Sequence, residues 1–292
     1  MKRLRNILLC CVTLFVGHVF AAGSESVTSS PAVAGEHAHT AAQATATIRQ
    51  HHLQRLYNRV HQDPAVLRQA CRYESEIGTA PPARRVVLSF DDGPEPGQTE
   101  HILEVLKKHE IQGTFFLIGE KARANPELVG KILSEGGHTV GNHSWSHPNF
   151  HDITAAQQTQ EVLRYEEAPS AGPTRWLFRY PYGNSTCETN ALLRERGYRI
   201  VGWHVDSCDW AFDKAGHVSP SEGLACGVLA QNRSHFVEHV VSSVRAHNGG
   251  IVLLHEIHPN TIRQLEEIIV RLKDEGFAFG SVEDEGFAQS LR

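Results

Sequence analysis

Arg-Val-Val-Leu-Ser-Phe-Asp-Asp-Gly-Pro, residues 85–94, is typical of a buried β-strand that ends on two adjacent acids. In an apolar setting, Asp91 and Asp92 cannot both stay ionised at low cost unless a cation or an arginine neutralises one of them. Taken alone, the segment is also compatible with a solvated Asp-Asp-Gly turn. Polar motifs further along the chain favour a metal site with an acid–base partner.

Strands and helices alternate from this segment to the C-terminus. The predicted strands are short apolar runs, namely Arg85–Phe90, Thr114–Ile118, Thr139–Asn142, Trp176–Arg179, Ile200–Val205, Ile251–Leu254 and Ala278–Val282. The predicted helices have apolar residues at helical spacing and cover Thr99–His109, Pro126–Glu135, Gln157–Tyr165, Glu188–Arg196, Val237–Ala246 and Thr261–Glu275. This alternation predicts a parallel sheet with helices outside, either a barrel or a doubly wound sheet, and seven strands favour an incomplete barrel.

The composition excludes several classes of protein. Of the 292 residues, 40% are hydrophobic and 21% are charged, which is ordinary for a globular protein with one large α/β domain and a small appendage. The formal net charge of -5 gives no support for a nucleic-acid partner. Neither a Gly-x-Gly-x-x-Gly motif nor a phosphate-binding loop occurs, so nucleotide binding has little support.

The N-terminal region predicts export. Residues 1–21 combine a positive start, an apolar stretch and a small residue at the cleavage position, as in a signal peptide, with an uncleaved anchor as the alternative. Residues 22–47 predict a disordered linker, residues 48–82 a helical N-terminal extension, and residues 83–292 the main domain. We therefore expect a periplasmic or extracellular protein without stable membrane insertion after signal cleavage.

Four cysteines remain after the predicted signal peptide: Cys71, Cys187, Cys208 and Cys226. An even number in an oxidising compartment predicts two disulfides, with three possible pairings, and free buried thiols are the alternative. A zinc tetrathiolate is not favoured because the sequence has no Cys-x-x-Cys spacing.

Polar motifs follow the predicted strands at their C-terminal ends, where parallel barrels build active sites. They are Asp91-Asp92 after the first strand, His143 to His147 after the third, Arg179 to Tyr182 after the fourth, Asp206 to Trp210 after the fifth and His255 after the sixth. These five strand ends are expected to converge on one mouth.

His143 and His147 are four residues apart, a spacing that places both imidazoles on one side of a helical turn. Such a pair is often incidental, but an aspartate across the mouth would complete a three-ligand site with open positions, typical of catalytic zinc. The metal would lower the pKa of bound water from about 15.7 toward about 7 and polarise a carbonyl. Zinc is the expected ion, with Co²⁺ or Ni²⁺ as alternatives.

Hydrolysis also needs a base and an acid. One aspartate can bind the metal while its neighbour accepts the proton of water. Arg179 is expected to hold that neighbour ionised through a bidentate pair, or else to form a structural ion pair. His255 is expected to protonate the leaving amine, oriented by Asp209. Trp210 and Tyr182 are either walls suited to a sugar ring or ordinary packing residues.

The five motifs, in this order, resemble those of the polysaccharide deacetylases, carbohydrate esterase family 4, with its NodB homology domain. They are Ser-Phe-Asp-Asp-Gly-Pro at 89–94, His-Ser-x-x-His at 143–147, Arg-x-Pro-Tyr at 179–182, Asp-x-x-Asp-Trp at 206–210 and Leu-x-His at 253–255. The resemblance covers residues 84–282 and implies a distorted (β/α)7-type barrel. It also implies metal-dependent removal of N-acetyl groups from N-acetylglucosamine residues, first in peptidoglycan and second in chitin-type oligomers. The alternatives are an O-acetyl, xylan-type esterase and an inactive glycan-binding protein.

The resemblance also implies the role of each site residue. It gives Asp91 as base, Arg179 as the residue that positions it, Asp92, His143 and His147 as metal ligands, and His255 as acid tuned by Asp209. The backbone N–H near Tyr182 would bind the oxyanion together with the metal, and Leu253 would line the acetyl pocket beside Trp210.

Three features depart from the pattern. Residues 211–250 form a long connection that is expected to rim the cleft. Cys208, inside the fourth motif, suggests a disulfide near the site, with Cys226 or Cys187 as partner. His258 adds an imidazole close to His255 and has no assigned role.

Overall fold

The structure is a computed structural model, and it describes Cys71, Ile77 and residues 79–168 and 176–292. The predicted signal peptide, the linker and most of the helical extension lie outside these residues. Within the described part of the chain, no helix is both long and apolar enough to cross a membrane.

A parallel sheet forms a half-barrel around its central strand. The strands are β1 (Arg85–Gly93), β2 (Gly113–Leu117), β3 (Thr139–Asn142), β4 (Leu177–Phe178), β5 (Arg199–Ile200), β6 (Val205–Asp206), β7 (Gly249–His255) and β8 (Ala278–Phe279). Seven of them lie in the order β5-β4-β3-β2-β1-β7-β6, and β8 pairs with the first residues of β1. The predicted α/β barrel-type fold is confirmed.

Helices cover the outside of this sheet. They are α1 (Gln98–Lys108), α2 (Gly119–Ala124), α3 (Pro126–Ser134), α4 (Ala155–Glu167), α5 (Cys187–Glu195), α6 (Pro220–Cys226), α7 (Phe236–His247) and α8 (Pro259–Asp274). Each of the six predicted helices matches one of these to within about two residues at either end. The short helices α2 and α6 were not predicted.

Alternation along β1 sorts its side chains between two faces. Leu88 and Phe90 belong to the main core, which they share with the helices, whereas Val87 belongs to a separate cluster on the opposite face. Because side chains alternate along a strand, Ser89 and Asp91 lie on the same face as Val87. The first acid is therefore directed into the half-barrel by the period of the strand.

The predicted strand Ile200–Val205 is wrong as a single element. Its two ends belong to β5 and β6, which lie at opposite edges of the sheet. Val201 N–H donates to the Phe178 carbonyl on one edge, and His204 N–H donates to the Ile251 carbonyl on the other, both at 2.9 Å. The intervening residues cross the open side of the half-barrel, which we call the seam (residues 201–204).

Two disulfides connect distant parts of the chain. One joins Cys71 to Cys187 at the start of α5, and the other joins Cys208 to Cys226 at the end of α6. Of the two partners considered for Cys208, the structure thus selects Cys226. The second disulfide therefore links the end of α6, within the long connection after β6, to the fourth motif.

Candidate active site

Asp91 and Asp92 both reach the mouth of the half-barrel because β1 is irregular at its end. Regular alternation would send adjacent side chains to opposite faces of the sheet. Here the pairing of β1 with β2 shifts register between Asp91 and Gly93, and Asp92 has a positive φ of 72°. Such a bulge redirects a side chain. Both carboxylates are consequently buried in the same site, 3% and 4% exposed.

Asp92 lies beside the two predicted histidine ligands. Its Oδ1 is 3.1 Å from Nε2 of His147 and 3.5 Å from Nε2 of His143. The two imidazole rings have centroids 4.8 Å apart. The structure therefore brings one carboxylate oxygen and two ring nitrogens together at the C-terminal end of β1 and β3.

The loop that carries these histidines is not the helical turn that the spacing predicted. Ser144 and His147 have positive φ angles of 67° and 60°. The Ser144 N–H donates to Asn142 Oδ1 at 2.8 Å, and the His147 N–H donates to Ser144 Oγ at 3.0 Å. A tight loop held by side-chain hydrogen bonds, rather than helical periodicity, makes the imidazoles meet.

The protonation of this cluster fits a divalent cation. The Nδ1–H of His143 donates to the Arg179 carbonyl at 2.8 Å, so Nε2 is the ring nitrogen that faces Asp92. Burial lowers the pKa of His147 to about 4, which leaves that ring neutral. Burial acts to raise the pKa of Asp92, but the adjacent histidines hold it well below its usual range. Asp92 Oδ1 is buried without a hydrogen bond, so a carboxylate and two imidazoles converge as zinc-type donors.

Arg179 forms hydrogen bonds with both Asp91 and the seam. Its Nη1 donates to Asp91 Oδ1 and to Ser89 Oγ, each at 2.8 Å, and the side chain is fully buried. Nε donates to the Val201 carbonyl at 3.1 Å, and Nη2 to the Gly202 carbonyl at 2.9 Å. The expected bidentate pair with the aspartate is thus wrong, because the second nitrogen is engaged by the backbone of the seam.

The partly exposed His255 and the fully buried Asp209 form a pair on the other side of the mouth. His255 Nδ1 donates to Asp209 Oδ1 at 2.7 Å, while the His255 backbone N–H and the Thr261 hydroxyl donate to Oδ2 at 2.8 and 2.6 Å. Burial acts to lower the pKa of His255, but the charge and hydrogen bond of Asp209 raise it to about 10. Despite its own burial, the pKa of Asp209 falls to about 2 beside His255.

One cleft is lined by Asp91, Asp92, His143, His147 and His255, whereas Arg179 and Asp209 lie behind its lining residues. The predicted wall residues Tyr182, Trp210 and Leu253 all border it. The Tyr182 ring stands edge-on to His147 at 4.7 Å, and its backbone has a positive φ of 57°. Tyr182 and Trp210 therefore border the cleft, and Trp210 also packs in the main core.

Sequence reasoning missed several residues of this site. The cleft is also bordered by Tyr180 and Trp203, and Thr261 and Ser89 complete the hydrogen bonds around the buried acids. Tyr180 stood inside the third of the recognised motifs, between Arg179 and Tyr182. Trp203 lies within the predicted strand Ile200–Val205. It borders the cleft because the chain crosses the open side of the half-barrel there and does not continue as a strand. Ser89 stood at the start of the first motif but was given no role, and for Thr261 the sequence offered no distinctive signal.

A three-donor cluster beside a separate acid–base pair, at the strand ends of a half-barrel, is the arrangement expected of a metal-dependent hydrolase. Comparison with known proteins agrees with this class. The family model described as polysaccharide deacetylase matches residues 78–201.

Relatives extend the match beyond that segment. A peptidoglycan-N-acetylglucosamine deacetylase of Listeria monocytogenes is 32% identical over 219 residues, which cover 74% of this chain and 42% of that protein. A chitooligosaccharide deacetylase of Bradyrhizobium sp. strain ANU 289 is 34% identical over 215 residues, which cover 66% of this chain and 87% of that protein.

A solved structure supports the same grouping. The family 4 carbohydrate esterase from Streptomyces lividans, in complex with acetate, is 29% identical with a TM-score of 0.56, covering 72% of this chain and 97% of that one. The chain belongs to the polysaccharide deacetylase family, carbohydrate esterase family 4. It spans less than half the length of its Listeria relative, 42%.

Proposed function

We propose that this protein hydrolyses N-acetyl groups from N-acetylglucosamine residues of a polysaccharide in a metal-dependent reaction. The observation that carries the proposal is the division of the two adjacent acids. Asp91 accepts a hydrogen bond from Arg179, whereas Asp92 faces two imidazole nitrogens. A base and a metal ligand are thereby available side by side, an arrangement suited to metal-assisted hydrolysis of an amide.

The first half of the reaction belongs to Asp91. A divalent cation held by Asp92, His143 and His147, most simply Zn²⁺ with Co²⁺ or Ni²⁺ as alternatives, would polarise the acetyl carbonyl and acidify water. Asp91 Oδ1 is held by Arg179, and Oδ2 lies 3.6 Å from His143 Nε2, on the side of the metal ligands. This free side of the carboxylate accepts the proton of the attacking water.

The second half belongs to His255. Because Asp209 binds its Nδ1–H, the opposite nitrogen, Nε2, is the one that can give a proton to the leaving amine. The raised pKa of His255, about 10, keeps that proton in place until the carbon–nitrogen bond breaks. The backbone N–H near Tyr182 would stabilise the oxyanion, with Leu253 and Trp210 around the acetyl group.

Peptidoglycan is the first substrate class that we propose, and chitin-type oligomers are the second. The Listeria relative is named for peptidoglycan and the Bradyrhizobium relative for chitooligosaccharides. The predicted signal peptide, which would place the protein in the periplasm or outside the cell, favours the wall glycan. We propose no nucleic-acid partner.

An acetate-release assay on peptidoglycan, chitin oligomers and acetylated xylan, with and without chelator, tests the proposal. We expect release from an N-acetylglucosamine glycan that stops with chelator and returns with zinc. Release from acetylated xylan alone would instead assign an O-acetyl esterase. No release from any of them would favour the inactive glycan-binding alternative, against which stands the presence of every proposed site residue.

A further inference from the structure

A second imidazole stands next to the proposed acid. Ligand atoms of Asp209, His255 and His258 all lie within 4.8 Å of one another. The His255 and His258 rings are edge-on, with centroids 5.3 Å apart, and both border the cleft. The reaction described above uses Asp209 and His255 but gives His258 no part.

The backbone fixes His258 in this position. His258 precedes the first residue of α8, and its carbonyl accepts the Ile262 N–H at 3.2 Å. Its own N–H donates to the His255 carbonyl at 3.4 Å, so a single turn links the two histidines. His258 is 8% exposed and is one of the residues that border the cleft.

Asp209 orients His255 through a hydrogen bond but does not itself donate an electron pair to the metal. Both of its oxygens accept hydrogen bonds, Oδ1 from His255 Nδ1 and Oδ2 from the His255 N–H and Thr261. A carboxylate that binds one nitrogen of a histidine and leaves the other for a metal is a common outer partner in zinc sites. Two imidazole nitrogens on a tetrahedral zinc are roughly 3.4 Å apart, so the two rings need only a small adjustment to bind one cation.

We propose that His255 and His258 form a second, weaker site for a zinc-type divalent cation. The cation takes the lone pair of His255 Nε2, and the proton that it replaces passes to solvent. This site offers two protein donors against three at Asp92, His143 and His147, so it fills only when metal exceeds one equivalent. Its inhibitory consequence rests on the proposed function: metal at His255 removes the proton donor, and acetate release falls.

Zinc binding to the full-length protein tests the site without any glycan. Equilibrium dialysis with elemental analysis is compared between the wild type, His258→Asn and the matched control His217→Asn, whose side chain is 60% exposed. We expect His258→Asn to lose one weaker equivalent and to keep the tight one, while His217→Asn binds as the wild type does. His258→Gln repeats the test in case the first variant folds poorly, as judged by thermal melting.

Activity then tests the consequence. For each protein, acetate release at ten equivalents of zinc is divided by its own release at one equivalent. We expect a several-fold fall in the wild type and in His217→Asn, and little change in His258→Asn. An unchanged weaker equivalent in both His258 variants would overturn the site. Loss of that equivalent in a protein that releases no acetate would uphold the site and refute the proposed function instead.

Discussion

Asp91 offers the most direct test at the scale of single residues. Asp91→Asn keeps an oxygen for the hydrogen bond from Arg179 Nη1 but cannot accept a proton from water. We expect kcat for acetate release to fall by roughly 10²–10⁴-fold while bound zinc stays at its wild-type level. Acetate release and elemental analysis on the same preparation measure both quantities.

Asp92→Asn is the matched control, because it changes the neighbouring acid in the same way. It removes the charge that faces the two imidazoles, so zinc affinity is expected to fall together with activity. If Asp91→Asn lost zinc and Asp92→Asn retained it, the two roles would be reversed.

Asp209 controls the pH dependence of the proposed acid. His255 must be protonated to act, so activity falls as pH rises through its pKa. Asp209 raises that pKa against the effect of burial, and Asp209→Asn therefore lowers it. We expect the alkaline limb of kcat to move to lower pH by at least about one unit, measured by acetate release from pH 5 to 10.

Thr261→Val serves as the control for this shift. It removes one hydrogen bond to Asp209 Oδ2 but leaves the carboxylate charge beside His255. Its alkaline limb should move much less than that of Asp209→Asn. Equal shifts in the two variants would mean that the alkaline limb of kcat moves because the site is structurally perturbed, and not because the charge of Asp209 is lost.

The sequence was informative at this scale because the functional groups follow strand ends in a recognisable order. Its limits are equally physical. Asp92 reaches the mouth through a bulge with positive φ, and His147 through a loop rather than a helix. Neither conformation is encoded by residue spacing. The second nitrogen of Arg179 could not be assigned either, since its partner is the carbonyl of Gly202, on a segment predicted as strand.

At the scale of elements, the disulfide Cys208–Cys226 closes the start of the long connection after β6. It spans 18 positions in sequence, so loop-closure entropy predicts that its removal costs about 3 kcal/mol of unfolding free energy. For a domain of this size that corresponds to a fall in Tm of roughly 6–12 °C. Calorimetry of the double variant Cys208→Ala/Cys226→Ala measures it.

The other disulfide provides a comparison of loop length. Cys71–Cys187 spans 116 positions, so the same entropic model predicts a larger loss for Cys71→Ala/Cys187→Ala, about 5 kcal/mol. Acetate release should also differ between the two double variants. It should fall more in Cys208→Ala/Cys226→Ala, because Cys208 directly precedes Asp209. A smaller loss of Tm for the longer loop would contradict the entropic explanation.

Periodicity predicted the long elements better than the short ones. The six helices with amphipathic patterns were found, because each has several apolar residues that face the core. Helices α2 and α6 have six and seven residues, too few for a periodic signal. The two-residue strands β5 and β6 pair with different neighbours at opposite edges of the sheet. Because the sequence between them is continuous and largely apolar, the seam could not be recognised from the sequence.

For the whole molecule, metal binding should contribute to the free energy of unfolding. The three donors of Asp92, His143 and His147 converge only in the folded chain, so the cation binds the native state preferentially. At a free zinc concentration of about 100 Kd the gain is about 2.7 kcal/mol, or roughly 5–11 °C in Tm. Thermal melting of chelator-treated protein, before and after zinc is restored, measures it.

His143→Ala is the control for this effect, because it removes one of the three donors. Most of the zinc-dependent rise in Tm should disappear in this variant. A rise equal to that of the wild type would show that zinc stabilises the fold elsewhere.

Glu256 gives the fold a dependence on pH. Its burial raises the pKa to about 8, although Thr99 and Lys121 act to lower it. The folded chain therefore binds more protons than the unfolded chain between about pH 4.5 and 8, and the free energy of unfolding falls as pH rises through that window. Glu256→Gln keeps an oxygen for the Thr99 hydroxyl, so we expect a higher Tm than wild type at pH 9 and little difference at pH 4.5.

Calorimetry with chelator present at both pH values makes this comparison free of metal binding. The exposed substitution Glu127→Gln is the control and should leave the pH dependence unchanged. The difference in Tm between Glu256→Gln and the wild type should grow from pH 4.5 to pH 9. If it did not, Glu256 would not be the source of the pH dependence.

The guanidinium of Arg179 stands where two strands do not pair, and it donates to both the seam and the base. One side chain consequently contacts both the segment that crosses the open side of the half-barrel and the proposed base. A displacement of the Val201 and Gly202 carbonyls would therefore also disturb the hydrogen bond from Arg179 to Asp91.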